Sequence, residues 1–322
     1  ATSYSFDGLD KLDPKGKPYI YTVKENVPNG YTVKQGEGDK KYELTNTYTG
    51  DETKYTVEKK WSGVDNNDPL PAKVKVTLYR DGEKTEETAE LTKDNNWKHT
   101  FTGLLKYRTD GTEYKYSVKE EKVDGYTTTI DEGTVTNTYT GDETKYPVEK
   151  KWAGVDKNDP LPASVKVTLY KDGKATDQTA ELTKDNNWKH TFEGLTKYRT
   201  DGTEYDYSVK EENINGYTTE YGDNTVTNTY TGGETKYPVE KKWSGVDNND
   251  PLPAKVKVTL YQDGKATDQT AELTKDNNWK HVFKDLKKYR TDGSEYEYSV
   301  REEKIDGYTT EYGDNTVINS YT

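Results

Sequence analysis

Apolar and polar positions alternate with a period of two along most of this chain. In "KVKVTLY" (73–79), Val74, Val76 and Leu78 face one way and Lys73, Lys75 and Thr77 the other, and the stretch then meets Asp81-Gly82. Successive side chains of a strand point to opposite faces and an Asp-Gly pair closes a tight hairpin, so the pattern predicts a strand running into a turn. "NNWKHTF" (95–101) follows an Asp-Asn turn, "YKYSVKE" (114–120) follows "RTDGTE", and "GTVTNTY" (133–139) alternates in the same way. No substantial helix is predicted. Short antiparallel strands of this kind, about six to eight to a unit, bury most economically as two packed sheets.

The pattern recurs. Trp61, Trp152 and Trp243 are spaced 91 residues apart, as are Trp97, Trp188 and Trp279. Three near-identical units follow, at 50–140, 141–231 and 232–322, each of the size of a common sandwich domain and too long for a solenoid repeat. The joints "TYTGDETKY", "TYTGDETKY" and "TYTGGETKY" are short. Residues 1–49 align with the second half of a unit only, Phe6 matching Phe101 and Tyr21 matching Tyr116. Either the chain is cut inside a domain or another segment supplies the missing strands; the unpaired edges of half a sandwich favour the first.

One feature of the repeat breaks the alternation rule. In "VEKKW" (57–61, 148–152 and 239–243), a lysine shares a strand face with a valine and a tryptophan. Lysine is among the residues least often buried. In "YSVKE" the same logic sends Glu120 to the face of Tyr116 and Val118, and in "VTNTY" it groups Asn137 with Val135 and Tyr139. Each unit therefore directs one lysine, one glutamate and one asparagine toward its core: Lys59, Glu120, Asn137; Lys150, Glu211, Asn228; Lys241, Glu302, Asn319. Residues 1–49 keep Glu25 and Asn46 and have no matching lysine.

Two chemistries fit such a trio. The first is a buried ion pair with an asparagine completing its hydrogen bonds, an arrangement whose desolvation seldom improves on an apolar core. The second is covalent. Burial lowers a lysine pKa and raises a glutamate pKa, so the amine can be neutral beside a protonated carboxyl group. A neutral amine is a nucleophile, and an amide polarised by an acid is its electrophile. Attack at Asn Cγ with loss of ammonia leaves a Lys–Asn isopeptide bond. Lys60, Lys151 and Lys242 alternate outward, as does Glu121, and are the weaker candidates.

Composition narrows the rest. Of 322 residues only 29% are hydrophobic and 33% charged, with a net charge of −12, a balance that leans toward disorder. The 29 tyrosines and 6 tryptophans oppose it, since aromatics bury large areas and can sustain many small cores. Acidity disfavours nucleic acid and anionic membrane surfaces. No apolar run approaches the roughly 20 residues of a membrane span. Cysteine is absent, which excludes disulfides and thiolate metal sites; methionine is absent too, so the chain reads as a processed or trimmed segment. "DNNDP" (65–69 and 247–251) is oxygen-rich but lacks EF-hand spacing, and reads as a polar turn. His99, His190 and His281 occur once per unit, too sparse for a metal cluster or a triad.

"VEKKW", "YSVKEE…GYTT" and "VTNTY", in that order and spacing, closely resemble the B-repeat domains of Gram-positive collagen adhesins and related pilins, the CnaB type. "LYRDGEK", "NNWKHTF" and "YTVKE" are similar to that family too, so the likeness covers almost the whole chain. The resemblance implies an all-β, immunoglobulin-like sandwich of inverse topology, repeated head to tail. It also implies a first-strand lysine joined to a last-strand asparagine with help from an acid on a middle strand. Position by position these are Lys59–Asn137 with Glu120, Lys150–Asn228 with Glu211, and Lys241–Asn319 with Glu302.

Function follows as an expectation. Tandem identity, short joints and one self-made cross-link per unit suit a structural stalk of a secreted, cell-wall-attached surface protein. Its partners would be other domains of the same protein, and a host ligand would bind through a domain outside this chain. A binding module for a host protein or glycan is the alternative, and it predicts distinctive exposed patches in one repeat. A turnover enzyme needs an open site, whereas this trio is directed inward and consumed once. No cofactor enters this reading, and no "LPxTG" sorting signal is present.

Overall fold

The structure, a computed structural model, describes residues 2–322, and nearly all regular structure in it is strand. It divides into two compact units. One comprises Ala1–Asp142 with Lys197–Glu204, the other Glu143–Thr196 with Tyr205–Thr322.

In the first unit, residues 2–30 contain no strand beyond an isolated Leu12–Pro18 bridge, and a two-stranded antiparallel ribbon follows, β1 (Tyr31–Gln35) and β2 (Leu44–Tyr48), with a single 3-10 turn at Gly38–Lys40 between them. The apolar side chains of residues 2–49 are largely uncovered: Phe6 is 65% exposed and Ile20 91%. Seven strands follow: β3 (Glu52–Ser62), β4 (Val74–Arg80), β5 (Glu83–Leu91), β6 (Lys98–Leu105), β7 (Tyr116–Glu120), β8 (Tyr126–Asp131) and β9 (Thr134–Tyr139). They make a four-stranded sheet in the order β6-β3-β9-β8 and a three-stranded sheet in the order β5-β4-β7. β3 and β9 run parallel, so the first and last strands of the repeat are neighbours. The β4–β5 turn is Asp81-Gly82, both with positive φ, as an Asp-Gly hairpin turn requires.

Alternation decides what lies between the sheets. Val57, Val76, Leu78, Leu91, Phe101, Val118 and Val135 come from both sheets and form one buried cluster. The core is thus aliphatic with one phenylalanine, while Tyr55, Trp97 and Tyr116 pack only partly buried against it. Of the tyrosine, tryptophan and valine expected to build the cores, valine lies at the centre and the aromatics at its margin, where a phenol hydroxyl can reach a polar partner.

In the second unit the same seven-strand order and sheet arrangement occur twice, from Glu143–Ala153 to Thr225–Tyr230 and from Thr235–Ser244 to Thr316–Tyr321. Each again surrounds a Val/Leu/Phe cluster. Among the described residues, no helix is long and apolar enough to cross a membrane.

Candidate functional site

The parallel register sets the site. Lys59 lies opposite Val135 and Trp61 opposite Asn137, so lysine and asparagine come from adjacent strands on the inward face. Glu120 arrives from the other sheet, where it pairs with Val76 at the end of β7. The three meet inside the sandwich. Lys59 is 4% exposed and Asn137 fully buried, and Lys59 Nζ lies 3.3 Å from Glu120 Oε2. The same contacts are 3.6 Å for Lys150–Glu211 and 3.2 Å for Lys241–Glu302. Lys60, Lys151 and Lys242 are exposed, and Glu121 pairs with Lys75 at the surface.

Aromatic rings close one side. Lys59 Nζ sits 4.4 Å from the Trp61 ring centre, and Trp61 stacks edge-on with Trp97 and Tyr126 at 5.2 and 5.0 Å. A ring face favours a cation, yet burial dominates: it lowers Lys59 from 10.5 to about 8 against the opposing pull of Glu120. Lys150 is lowered to about 8 and Lys241 is lowered likewise, both by burial. Burial raises the Glu211 carboxyl, opposed by hydrogen bonding from Asn228 and by the Lys150 charge. Both directions favour moving the proton from amine to carboxyl.

In the second and third repeats the carboxyl bridges the lysine and asparagine nitrogens. Asn228 Nδ2 donates to Glu211 Oε1 at 2.5 Å and Asn319 Nδ2 to Glu302 Oε1 at 2.6 Å, while Oε2 of each glutamate faces the lysine. The acid was expected to polarise the amide oxygen, whereas here the amide nitrogen faces it. An ionised carboxylate can only accept, so it draws the NH2 end; a protonated one would donate and favour the flipped amide. Asn228 Oδ1 and Asn319 Oδ1 are buried without hydrogen-bond partners.

Some of the site was invisible to alternation. Thr128 Oγ1 donates to Glu120 Oε1 at 3.1 Å, and Thr310 Oγ1 to Glu302 Oε1 at 3.4 Å. The Glu211 and Glu302 amides donate to the hydroxyls of Tyr221 and Tyr312, each at 2.9 Å. The first repeat has Ile130 at that position. "NNWKHTF" begins as a strand only at Lys98, because Asn96 and Trp97 adopt left-handed φ values of 54° and 59°. That turn places Trp97 O to accept from the Lys59 amide at 2.7 Å. Only position 91 residues apart, in all three repeats, marked this tryptophan as special.

The other candidates lie apart. Asp65 and Asp68 spend their bonds on each other, Asp65 N donating to Asp68 Oδ2 at 2.8 Å, and Asp247 and Asp250 do the same at 2.7 Å. His99, His190 and His281 stack on Phe101, Phe192 and Phe283 along one strand. Glu25 and Asn46 are joined, Asn46 Nδ2 donating to Glu25 Oε1 at 2.5 Å, in an exposed setting.

The family model for the Cna protein B-type domain matches residues 1–47, 55–138, 146–229 and 237–320. This chain belongs to that family. A collagen adhesin of Staphylococcus aureus is 40% identical over 334 residues, covering 99% of this chain and 28% of the adhesin. The chain therefore spans little more than a quarter of that relative's length. Among solved structures, two B repeat units (B1B2) of the collagen binding protein of Staphylococcus aureus are 39% identical, covering 99% of this chain and 87% of theirs, with a TM-score of 0.33. A single B repeat unit (B1) of the collagen binding surface protein of that organism is 40% identical, covering 56% of this chain and 100% of its own, with a TM-score of 0.27. The family model and the adhesin relative place the chain among adhesin repeats and not in an enzyme family.

Proposed function

We propose that this chain is a stalk segment of a Gram-positive cell-wall-attached surface protein, adhesin or pilus-like. In this reading the repeats at 50–140, 141–231 and 232–322 each form one domain stiffened by one Lys–Asn isopeptide bond, and 1–49 is the C-terminal half of a further domain. A host ligand, collagen-like for an adhesin of the kind this chain resembles, would be bound by a domain outside it.

The observation that carries the reading is the threefold burial of a lysine against a glutamate, at 3.2 to 3.6 Å, beside an equally buried asparagine. As an ion pair alone this costs desolvation three times over with little return. As a reaction centre it is well arranged. The amine gives up its proton to the carboxyl and attacks Asn Cγ; the Nζ–Cγ bond forms and the Cγ–Nδ2 bond breaks. The carboxyl, which touches both nitrogens in the second and third repeats, carries a proton from Nζ to Nδ2, which leaves as ammonia. Lysine amine plus asparagine amide thus become one secondary amide and one ammonia, with nothing else consumed.

Intact-mass measurement tests it. The expected mass is short of the sequence mass by three ammonia molecules, and by two in Glu120→Gln. A mass equal to that of the unmodified sequence removes the covalent reading.

A further inference from the structure

The ends of the repeats carry a second recurrent construction, which the cross-link does not use. In the first unit, Tyr31 and Tyr48 stack at 5.4 Å, and their hydroxyls donate to the carbonyls of Thr109 and Tyr107, each at 2.6 Å. The amide of Tyr107 returns a bond to Gly50 O at 2.8 Å. Gly30, at φ +83°, lies so close that an added Cβ would stand 2.9 Å from Tyr107 Cβ. Also in that unit, Tyr126 and Tyr139 stack at 5.5 Å, donate to the carbonyls of Thr200 and Tyr198, and are joined by Gly125 at the same 2.9 Å approach to Tyr198. In the second unit, Tyr217 and Tyr230 repeat the arrangement with Thr291, Tyr289 and Gly216.

What is received is one pentapeptide, Tyr-Arg-Thr-Asp-Gly, at 107–111, 198–202 and 289–293. It is pre-shaped: Gly111 N donates to Arg108 O at 3.0 Å, Thr112 N to Asp110 Oδ1 at 2.9 Å, and Arg108 Nη1 to Thr112 Oγ1 at 3.0 Å. The receiving hydroxyls read its backbone carbonyls. Recognition therefore rests on the shape of the loop and on a glycine beneath it.

A fourth receiver is built and uncovered. Tyr308 and Tyr321 stack at 5.5 Å, Gly307 has φ +83°, and Thr322 N donates to Gly307 O at 3.1 Å, as Thr140 N does to Gly125 O at 2.9 Å. Tyr321 is 61% exposed, whereas its counterparts are half-buried, and Tyr126 and Tyr217 are buried where Tyr308 is not. We propose that Gly307, Tyr308 and Tyr321 form an interaction surface whose partner is the Tyr-Arg-Thr-Asp-Gly loop of another Cna B-type repeat. The three occupied receivers in this same chain identify that occupant. The proposal is independent of the isopeptide bonds, whose presence the mass reports separately.

The test extends the full chain by a copy of residues 232–322 after Thr322, which supplies the glycine that Gly50 contributes in the first receiver. Spin labels enter through Lys265→Cys and its equivalent in the added copy, the chain being free of cysteine. A single narrow distance distribution is expected. The double variant Tyr308→Phe/Tyr321→Phe keeps both rings and removes only the hydroxyls, and it should broaden that distribution about twofold, toward the freedom of unlocked neighbours. Gly307→Ala should do the same. A cooperative thermal transition for each variant shows that it has folded. A broad distribution in the parent, or widths that the double variant leaves unchanged, overturns the proposal. Narrowing only at high protein concentration overturns it if the double variant retains that narrowing, and supports it, with the loop supplied by a second molecule, if the double variant abolishes it.

Discussion

In residues 1–49, Asn46 Nδ2 donates to Glu25 Oε1 at 2.5 Å, and in the second repeat Asn228 Nδ2 donates to Glu211 Oε1 at the same distance. The geometry of the pair is alike and its surroundings are opposite. Asn46 is exposed, whereas Asn228 is fully buried with a lysine 3.6 Å from the carboxyl. The carboxyl–amide contact is therefore a product of the second half of a repeat. The low-dielectric enclosure, which moves the lysine down and the glutamate up, comes with the first half and its strand β3. In residues 1–49 the aligned carboxyl and amide have neither that enclosure nor a lysine beside them.

The largest test of this contrast is mechanical. Single-molecule pulling on the intact chain should release residues 1–49 at low force and give no full unfolding step for the three repeats. Lys59→Ala should restore one step, for the first repeat only, freeing the 77 residues between Lys59 and Asn137, roughly 250 Å at ~3.3 Å per residue. The same substitution removes a loop constraint worth about 4 to 5 kcal/mol on the entropy relation for disulfides. Three ordinary steps in the unsubstituted chain would contradict the stalk mechanism.

A second experiment supplies what 1–49 lacks. Joining a copy of residues 50–100 directly ahead of Phe6 brings a lysine strand and an apolar wall to Glu25 and Asn46. The mass should then fall by a fourth ammonia. Retention of that ammonia in a folded fusion would mean that enclosure is not what separates the two regions.

The third is a pH dependence. Asn137→Ala leaves Lys59 as a free amine whose folded value of about 8 lies below its ordinary 10.5. Between those values the unfolded chain holds more protons than the folded one, so the stability of that repeat rises with pH; the contribution is complete above about 10.5 and lost as pH falls through about 8. Denaturant titrations across this window should show the rise in the variant. The parent should lack it, because a lysine held as an amide does not titrate.

The smallest effect compares the first repeat with the others. Tyr221→Phe should cost under about 1 kcal/mol, the worth of one partly exposed hydrogen bond, and Ile130→Tyr should add a similar amount to the first repeat. Chemical denaturation of variants that also carry the lysine-to-alanine change of their own repeat would resolve both.

Much of this was legible in the letters alone. Alternation about Val57 and Trp61 sends Lys59 inward and Lys60 outward, and "YSVKE" does the same for Glu120 and Glu121, because a strand face is set by its immediate neighbours. The left-handed turn at Asn96-Trp97 was not legible, since tryptophan has no propensity for positive φ and is held there by bonds to Thr92 and Lys59. Nor was the use of tyrosine. Tyr126 and Tyr139 look like core residues of their strands, yet their hydroxyls serve carbonyls 59 and 74 positions away, a relation no local pattern can contain.

The parallel register of β3 and β9 has one more consequence. Tension entering at Glu52 and leaving at Tyr139 drags these neighbours in opposite directions along their length, so the pairs from Glu58–Thr134 to Ser62–Thr138 are loaded together in shear. In the antiparallel ribbon β1–β2, Tyr31 lies opposite Tyr48, and the same pull peels the pairs apart one at a time like a zipper. Even before any covalent bond forms, the repeat presents its strongest mechanical face to the direction in which a tether is pulled.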